Sequence, residues 1–148
     1  MFVRQVCRRL HEEHEASLAL CSRLEASLAA GRSDAALMRA AAAALAGEVE
    51  RHFSFEEAEL FPRLSAAGEG DLVELLQEEH LAIRAVAERF ISLVKANPLD
   101  AGLKPVGLEL AERLASHAQK EEMSLLPALD DLLDEGADHE LASAYAEL

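Results

Sequence analysis

Two stretches of this chain are written to one pattern. HFSFEEAELFP runs from His52 to Pro62, and HAQKEEMSLLP runs from His117 to Pro127, an offset of 65. LHEEH at Leu10–His14 returns as LQEEH at Leu76–His80, an offset of 66. Self-similarity at a long, near-constant offset means that one supersecondary unit is used twice. Each copy carries LxEEH first and HxxxEExxLxP second, so two copies of a two-helix hairpin account for the chain. That duplication leaves few architectures open, and an all-α, up-down-up-down four-helix bundle is the natural one.

Helical periodicity supports the reading. Val3, Cys7, Leu10, His14, Leu18, Cys21, Leu24 and Leu28 recur every three or four residues. Gly31 stops this helix, and Ser33 or Asp34 caps the next, which runs to about Leu64. SAAGEGD breaks the chain again, and Asp71 is the expected cap of the third helix. NPLDAGLKP is a loop rich in breakers, and the fourth helix is expected from about Val106. The residues past Gly136 are expected to form a short tail, as a further helical turn or a loose arm. The 148 residues are read as one domain, 1–148, with hairpin repeats at about 1–66 and 71–134.

Composition agrees with a helical chain and narrows its partners. Half of the residues are hydrophobic, with seven Gly, four Pro and no Trp. A formal charge of −14 repels phosphate backbones and anionic lipid, so nucleic acid and membrane surfaces are not expected partners. The N-terminal MFVRQVCRRLHEEHE has no apolar core of signal-peptide length, and no apolar run reaches the length of a membrane span. Cys7 and Cys21 would lie about 21 Å apart on one helix, too far for a disulfide. They are read as reduced, buried thiols, and the expected location is cytoplasmic.

Polar residues occupy the face where a core should be. His14, His52, His80 and His117 each lie in the apolar stripe of their helix. Glu56 and Glu121 follow a His by four residues and share its inward face. A buried carboxylate is costly unless it is paired or bound to a metal. One such His is commonly a hydrogen-bonded core residue, and one HxxxE is a routine surface pair. Two HxxxE motifs with two matched His residues point to a shared metal pair instead. Among their neighbours, Glu57 and Glu122 point about 100° away and are read as surface. Glu13 and Glu79 are read as solvated flanks, with orientation of an imidazole as the alternative. His11 is read as a rim residue, with a fifth ligand or a partner behind a ligand as the alternative. Leu60 and Leu125 are read as core, Pro62 and Pro127 as helix bends or ends, and His139 and Tyr145 are assigned no role.

The pattern H…HxxxE…H…HxxxE, with HxxxEExxLFP and EEHxxI around it, resembles the hemerythrin-like, or HHE cation-binding, domain family from about Val3 to Leu133. The resemblance implies a four-helix bundle holding two Fe ions in a non-haem centre. His14, His52, His80 and His117 would be terminal ligands, and Glu56 and Glu121 bridging carboxylates. The duplication assigns one iron to His14 and His52 and the other to His80 and His117. Oxygen-carrying hemerythrins use an HxxxH pair on the third helix. Here the residues four from His80 are Leu76 and Arg84, so the chain resembles the four-His, two-Glu members instead. Iron-sulfur-repair members carry an N-terminal cysteine-bearing domain that this sequence lacks, which argues against a repair role.

Four protein donors per iron leave about two positions open in a six-coordinate site, for an oxo or hydroxo bridge and a diatomic ligand. The expected function is binding or turnover of O₂, NO or H₂O₂. The alternatives are an iron- or O₂-responsive sensor without turnover, and zinc or manganese in the same cage.

Overall fold

The computed structural model describes residues 1–32 and 34–148. Helix α1 spans Gln5–Ala29. Gly31 ends it in the left-handed region, at φ 68°, which a Cβ would disfavour. Asp34 caps the next helix by accepting from the Leu37 amide at 2.9 Å. Ser33, the other capping candidate, lies outside the described residues. Helix α2 covers 35–66 in one continuous run. It begins as Ala35–Ala44, passes through a π turn at Leu45–Val49, resumes as Glu50–Phe55, passes a second π turn at Glu56–Leu60 and ends as Phe61–Ala66.

Helix α3 spans Gly70–Ala96 and α4 spans Leu103–Met123. Asp71 does not cap α3. The helix starts one residue earlier without a side-chain cap, which leaves Asp71 in the first turn, where its charge faces the positive end of the helix dipole. Helix α4 starts three residues before Val106 and stops at Ser124, whose φ of −131° and ψ of −61° break the regular path. Helix α5, Leu125–Leu132, follows at once. Pro127 therefore stands in the first turn of a fresh segment after Ser124, where a missing amide costs no helical bond, and Pro62 follows the second π turn inside the continuous α2.

The residues past Gly136 are more than a loose arm. Helix α6, Glu135–Ala146, is capped by Asp134 and packs on α1, with Leu141 and Tyr145 buried. Round the bundle, α1 packs on α4, α4 on α3, α3 on α2 and α2 on α1. This closes the ring of an up-down-up-down bundle made from two helical hairpins.

The interior is two apolar plugs. One contains Leu24, Leu37, Phe53, Ile83, Phe90 and Leu110, towards the α1–α2 loop. The other contains Val6, Leu10, Phe61, Leu76, Leu126 and Tyr145. Along every long helix the change from one plug to the other comes at the same level: at His14, at His52–Glu56, at His80 and at His117–Glu121.

Candidate metal centre

At that level the six inward polar residues meet. His14, His52, Glu56, His80, His117 and Glu121 are all buried, none more than 5% exposed. They form two overlapping groups, His14–His52–Glu56–Glu121 and Glu56–His80–His117–Glu121, with candidate ligand atoms within 4.8 Å of one another in each. Both carboxylates belong to both groups, and each offers one oxygen to each side. Glu56 Oε2 lies 3.2 Å from His52 Nε2, and its Oε1 lies 3.2 Å from His80 Nε2. Glu121 Oε1 lies 2.9 Å from His14 Nε2, and its Oε2 lies 3.4 Å from His117 Nε2.

The outer nitrogen of every imidazole meets a second carboxylate. His14 Nδ1 donates to Glu122 at 2.7 Å, and His52 Nδ1 to Glu13 at 2.8 Å. His80 Nδ1 donates to Glu57 at 2.6 Å, and His117 Nδ1 to Glu79 at 2.7 Å. Glu57 and Glu122 are therefore not surface bystanders. Each turns away from its own helix's cage face and reaches the His of the other hairpin. Glu13 and Glu79 support the second His of their own hairpin, which removes the solvated-flank reading. The helical angle within one helix was sound; what lies across the bundle at that angle is a neighbour's imidazole.

A further donor clamps each supporting carboxylate. Arg84 holds Glu57 through Nη1 at 2.6 Å and reaches Glu50 through Nε at 3.0 Å. Lys120 pairs with Glu79, His11 with Glu122, and the Tyr145 hydroxyl donates to Glu13. His11 thus stands behind the His14 partner, not at the rim alone. Tyr145 and Arg84 carried no sequence signal for this, because their partners come from other helices.

An ionised carboxylate only accepts, so these contacts place a ring proton on Nδ1 and, in the neutral imidazole, leave a lone pair on each inward Nε2. His80 Nε2 and His117 Nε2 then face each other at 3.1 Å, lone pair to lone pair. His52 Nε2, both Glu56 oxygens and Glu121 Oε2 are buried without a hydrogen-bond partner. A dry cluster of acceptors with no donor is unstable by itself and is satisfied by cations. Nitrogen and carboxylate oxygen in this ratio suit a transition metal.

The electrostatics point the same way. Burial disfavours a charged His52, yet Glu56, Glu121 and Glu13 hold its pKa well above the ordinary value. Burial likewise works against His117, and Glu121, Glu56 and Glu79 outweigh it upward. Burial would raise Glu121, but the imidazoles of His117, His14 and His52 around it hold it well below the usual range. Burial is likewise outweighed at Glu13, which His52 and Tyr145 hold down at about 2. The cage attracts positive charge, whether as protons or as metal.

A cavity of about 310 Å³ opens between α1 and α2 and reaches His14, His52, His117 and Glu121. Phe53, which also lines this cavity, stacks flat on His80, with centroids 3.8 Å apart.

Fold and site together define a metal-binding helical bundle whose buried His and Glu groups can hold cations. The family model of the hemerythrin HHE cation binding domain matches residues 6–129. The chain belongs to that family. Comparison with curated proteins and with solved structures finds no match. None of the described helices is long and apolar enough to cross a membrane.

Proposed function

We propose that this chain is a non-haem di-iron protein that binds or turns over a small ligand, O₂, NO or H₂O₂. In this reading His14 and His52 hold one iron, His80 and His117 the other, and Glu56 and Glu121 bridge them. The observation that carries it is the sharing of Glu56 and Glu121 between the two buried donor groups, one oxygen to each side. When bound, an iron pair supplies Lewis-acidic, redox-active positions open to a small ligand.

The chain's own residues do the rest. The Nδ1–H···carboxylate pairs orient all four rings and raise the basicity of their inward nitrogens. Arg84 and Lys120 balance the charge of Glu57 and Glu79. Phe53 and Phe61, lying against His80, shield that ring from water, while the cavity gives a small ligand access at His14, His52, His117 and Glu121. The two free, buried cysteines fit a reducing, cytoplasmic setting.

The test is iron per chain, with the visible spectrum recorded before and after addition of O₂, H₂O₂ and NO. The expected result is two irons and a spectrum that responds to at least one ligand. Protein from iron-replete cells that carries no iron, and takes none up anaerobically, sinks the reading.

A further inference from the structure

The cavity is far larger than a diatomic molecule needs. Its 310 Å³ is twice the ~150 Å³ that takes up benzene in an engineered apolar cavity, and it falls in the ~300–1,000 Å³ range of organic-ligand pockets. Its inner end is the cage, at His14, His52, His117 and Glu121, all buried. Its walls are mostly apolar, Leu20, Ala44, Val49, Phe53, Leu114 and Ala118, with the Ser17 hydroxyl as the one polar side chain among them. At its outer end stand Glu48, which is exposed, and Glu13, which is half-buried.

Water held along such walls finds few of the two to four partners it needs, so an apolar solute displaces it at a gain. The acidic mouth and the net charge of −14 disfavour an anion. A fixed organic cation is poorly matched too, because the apolar walls would desolvate it while Glu13 is already paired with His52, Tyr145 and Arg9 and Glu48 stays out in solvent. The match is a neutral, apolar organic molecule of roughly the size of a substituted benzene or an indole.

We propose that this cavity is a binding site for a neutral apolar organic molecule, seated with one end against the His14, His52, His117 and Glu121 side of the cage. The site lies beyond the positions on the metals themselves. It rests on the metal reading only for what forms its floor. Leu114 and Ala118 line it from α4, Leu20 from α1, and Ala44, at the edge of the first π turn, from α2. That π turn, Leu45–Val49, moves the α2 backbone off a regular helical path along this wall.

Indole is a suitable probe, because the chain has no Trp and indole emission is read without background. Titrated against the metal-loaded protein, indole is expected to bind saturably, with a Kd below about 1 mM. Indole-3-carboxylate is expected to bind at least about tenfold more weakly. Ala44→Phe should fill the cavity and cut indole affinity by about tenfold or more, with helical circular dichroism and metal content retained. Ser17→Phe fills it from the α1 wall and gives the same readout if the first variant fails to fold.

Absence of saturable binding overturns the proposal, as does equal affinity in a folded, filled variant or equal affinity for the anion. Metal content on the same samples keeps the two readings apart. Indole binding without iron sinks the di-iron reading alone, and iron without indole binding sinks this one alone.

Discussion

At the scale of single residues, the carboxylates behind the imidazoles do as much as the cage. Glu57 fixes the tautomer of His80 and is itself fixed by Arg84. On the proposed two-metal reading, Glu57→Ala is expected to weaken metal binding at His80 and His117 by about 10–100-fold and to leave the His14–His52 position loaded. Glu57→Gln, which keeps an acceptor, should recover most of it. Chelator competition with metal analysis reads both, and unchanged affinity in the alanine variant would return Glu57 to the surface role that its helix angle alone suggests. The buried thiols give a second expectation. Burial, with Asp130 and Asp138 nearby, pushes Cys7 up from 9.0 to about 12, and burial, with Glu25 nearby, pushes Cys21 to about 11. Native protein at pH 8 should not react with a thiol reagent until it unfolds. A thiol pKa raised on folding favours the fold below pH 9 and loses that contribution between pH 9 and about 12. The six inward residues were legible from one dimension, because a period of 3.6 puts them on an apolar face. Their supports were not, because Glu122 on His14 or Tyr145 on Glu13 is a fact about helices crossing, not about spacing along one.

At the scale of elements, the ends carry the surprises. Helix α1 has no local cap: Arg4 precedes it without a side-chain bond to its first turn. Its free amides are met from the far end of the chain. Asp138 accepts from Gln5 and Val6 at 2.9 Å each, and Asp130 accepts from Arg4 at 2.8 Å. Helix α6 therefore acts as the N-cap of α1, an arrangement that no sequence rule for local caps detects. Asp138 is only 5% exposed, so its loss strands the buried Val6 amide and unpairs the part-buried Gln5 amide. Asp138→Ala is expected to cost about 1–3 kcal/mol of unfolding free energy, with metal content unchanged. Denaturant titration reads the first and metal analysis the second; a cost near zero would mean that water caps α1 equally well. The same helix explains why the tail beyond Gly136 reads weakly in sequence. It is short, and its single buried stripe is broken by Asp138, a residue that looks solvent-bound until its partners are known.

At the scale of the whole molecule, the fold is two apolar plugs joined through a polar layer. Each plug buries large side chains, Phe90 and Leu110 in one and Phe61 and Leu126 in the other, and each stabilises the bundle in the usual way. The layer between them does not. Two carboxylates and four imidazoles with inward lone pairs cost free energy wherever they stay unpaired. The duplicated hairpins bring equal numbers of donors from both halves, so neither half can satisfy its own set without the other. Stability should therefore depend on what fills the layer. A metal bound at about 1,000 times its Kd contributes ~4 kcal/mol, and 1 kcal/mol shifts Tm by ~2–4 °C at this chain length. Removing bound metal with a chelator is expected to lower Tm by roughly 10 °C or more, and returning iron anaerobically should restore it. Replacing the layer with apolar side chains of similar volume, as in Glu56→Leu with Glu121→Leu, should abolish metal binding. It should also leave the protein at least as stable as the metal-free wild type, because the two most heavily desolvated charges are gone. Calorimetry on the three forms decides it. If the metal-free wild type melts where the loaded protein does, the polar layer is satisfied from within, and the plugs alone hold the bundle together.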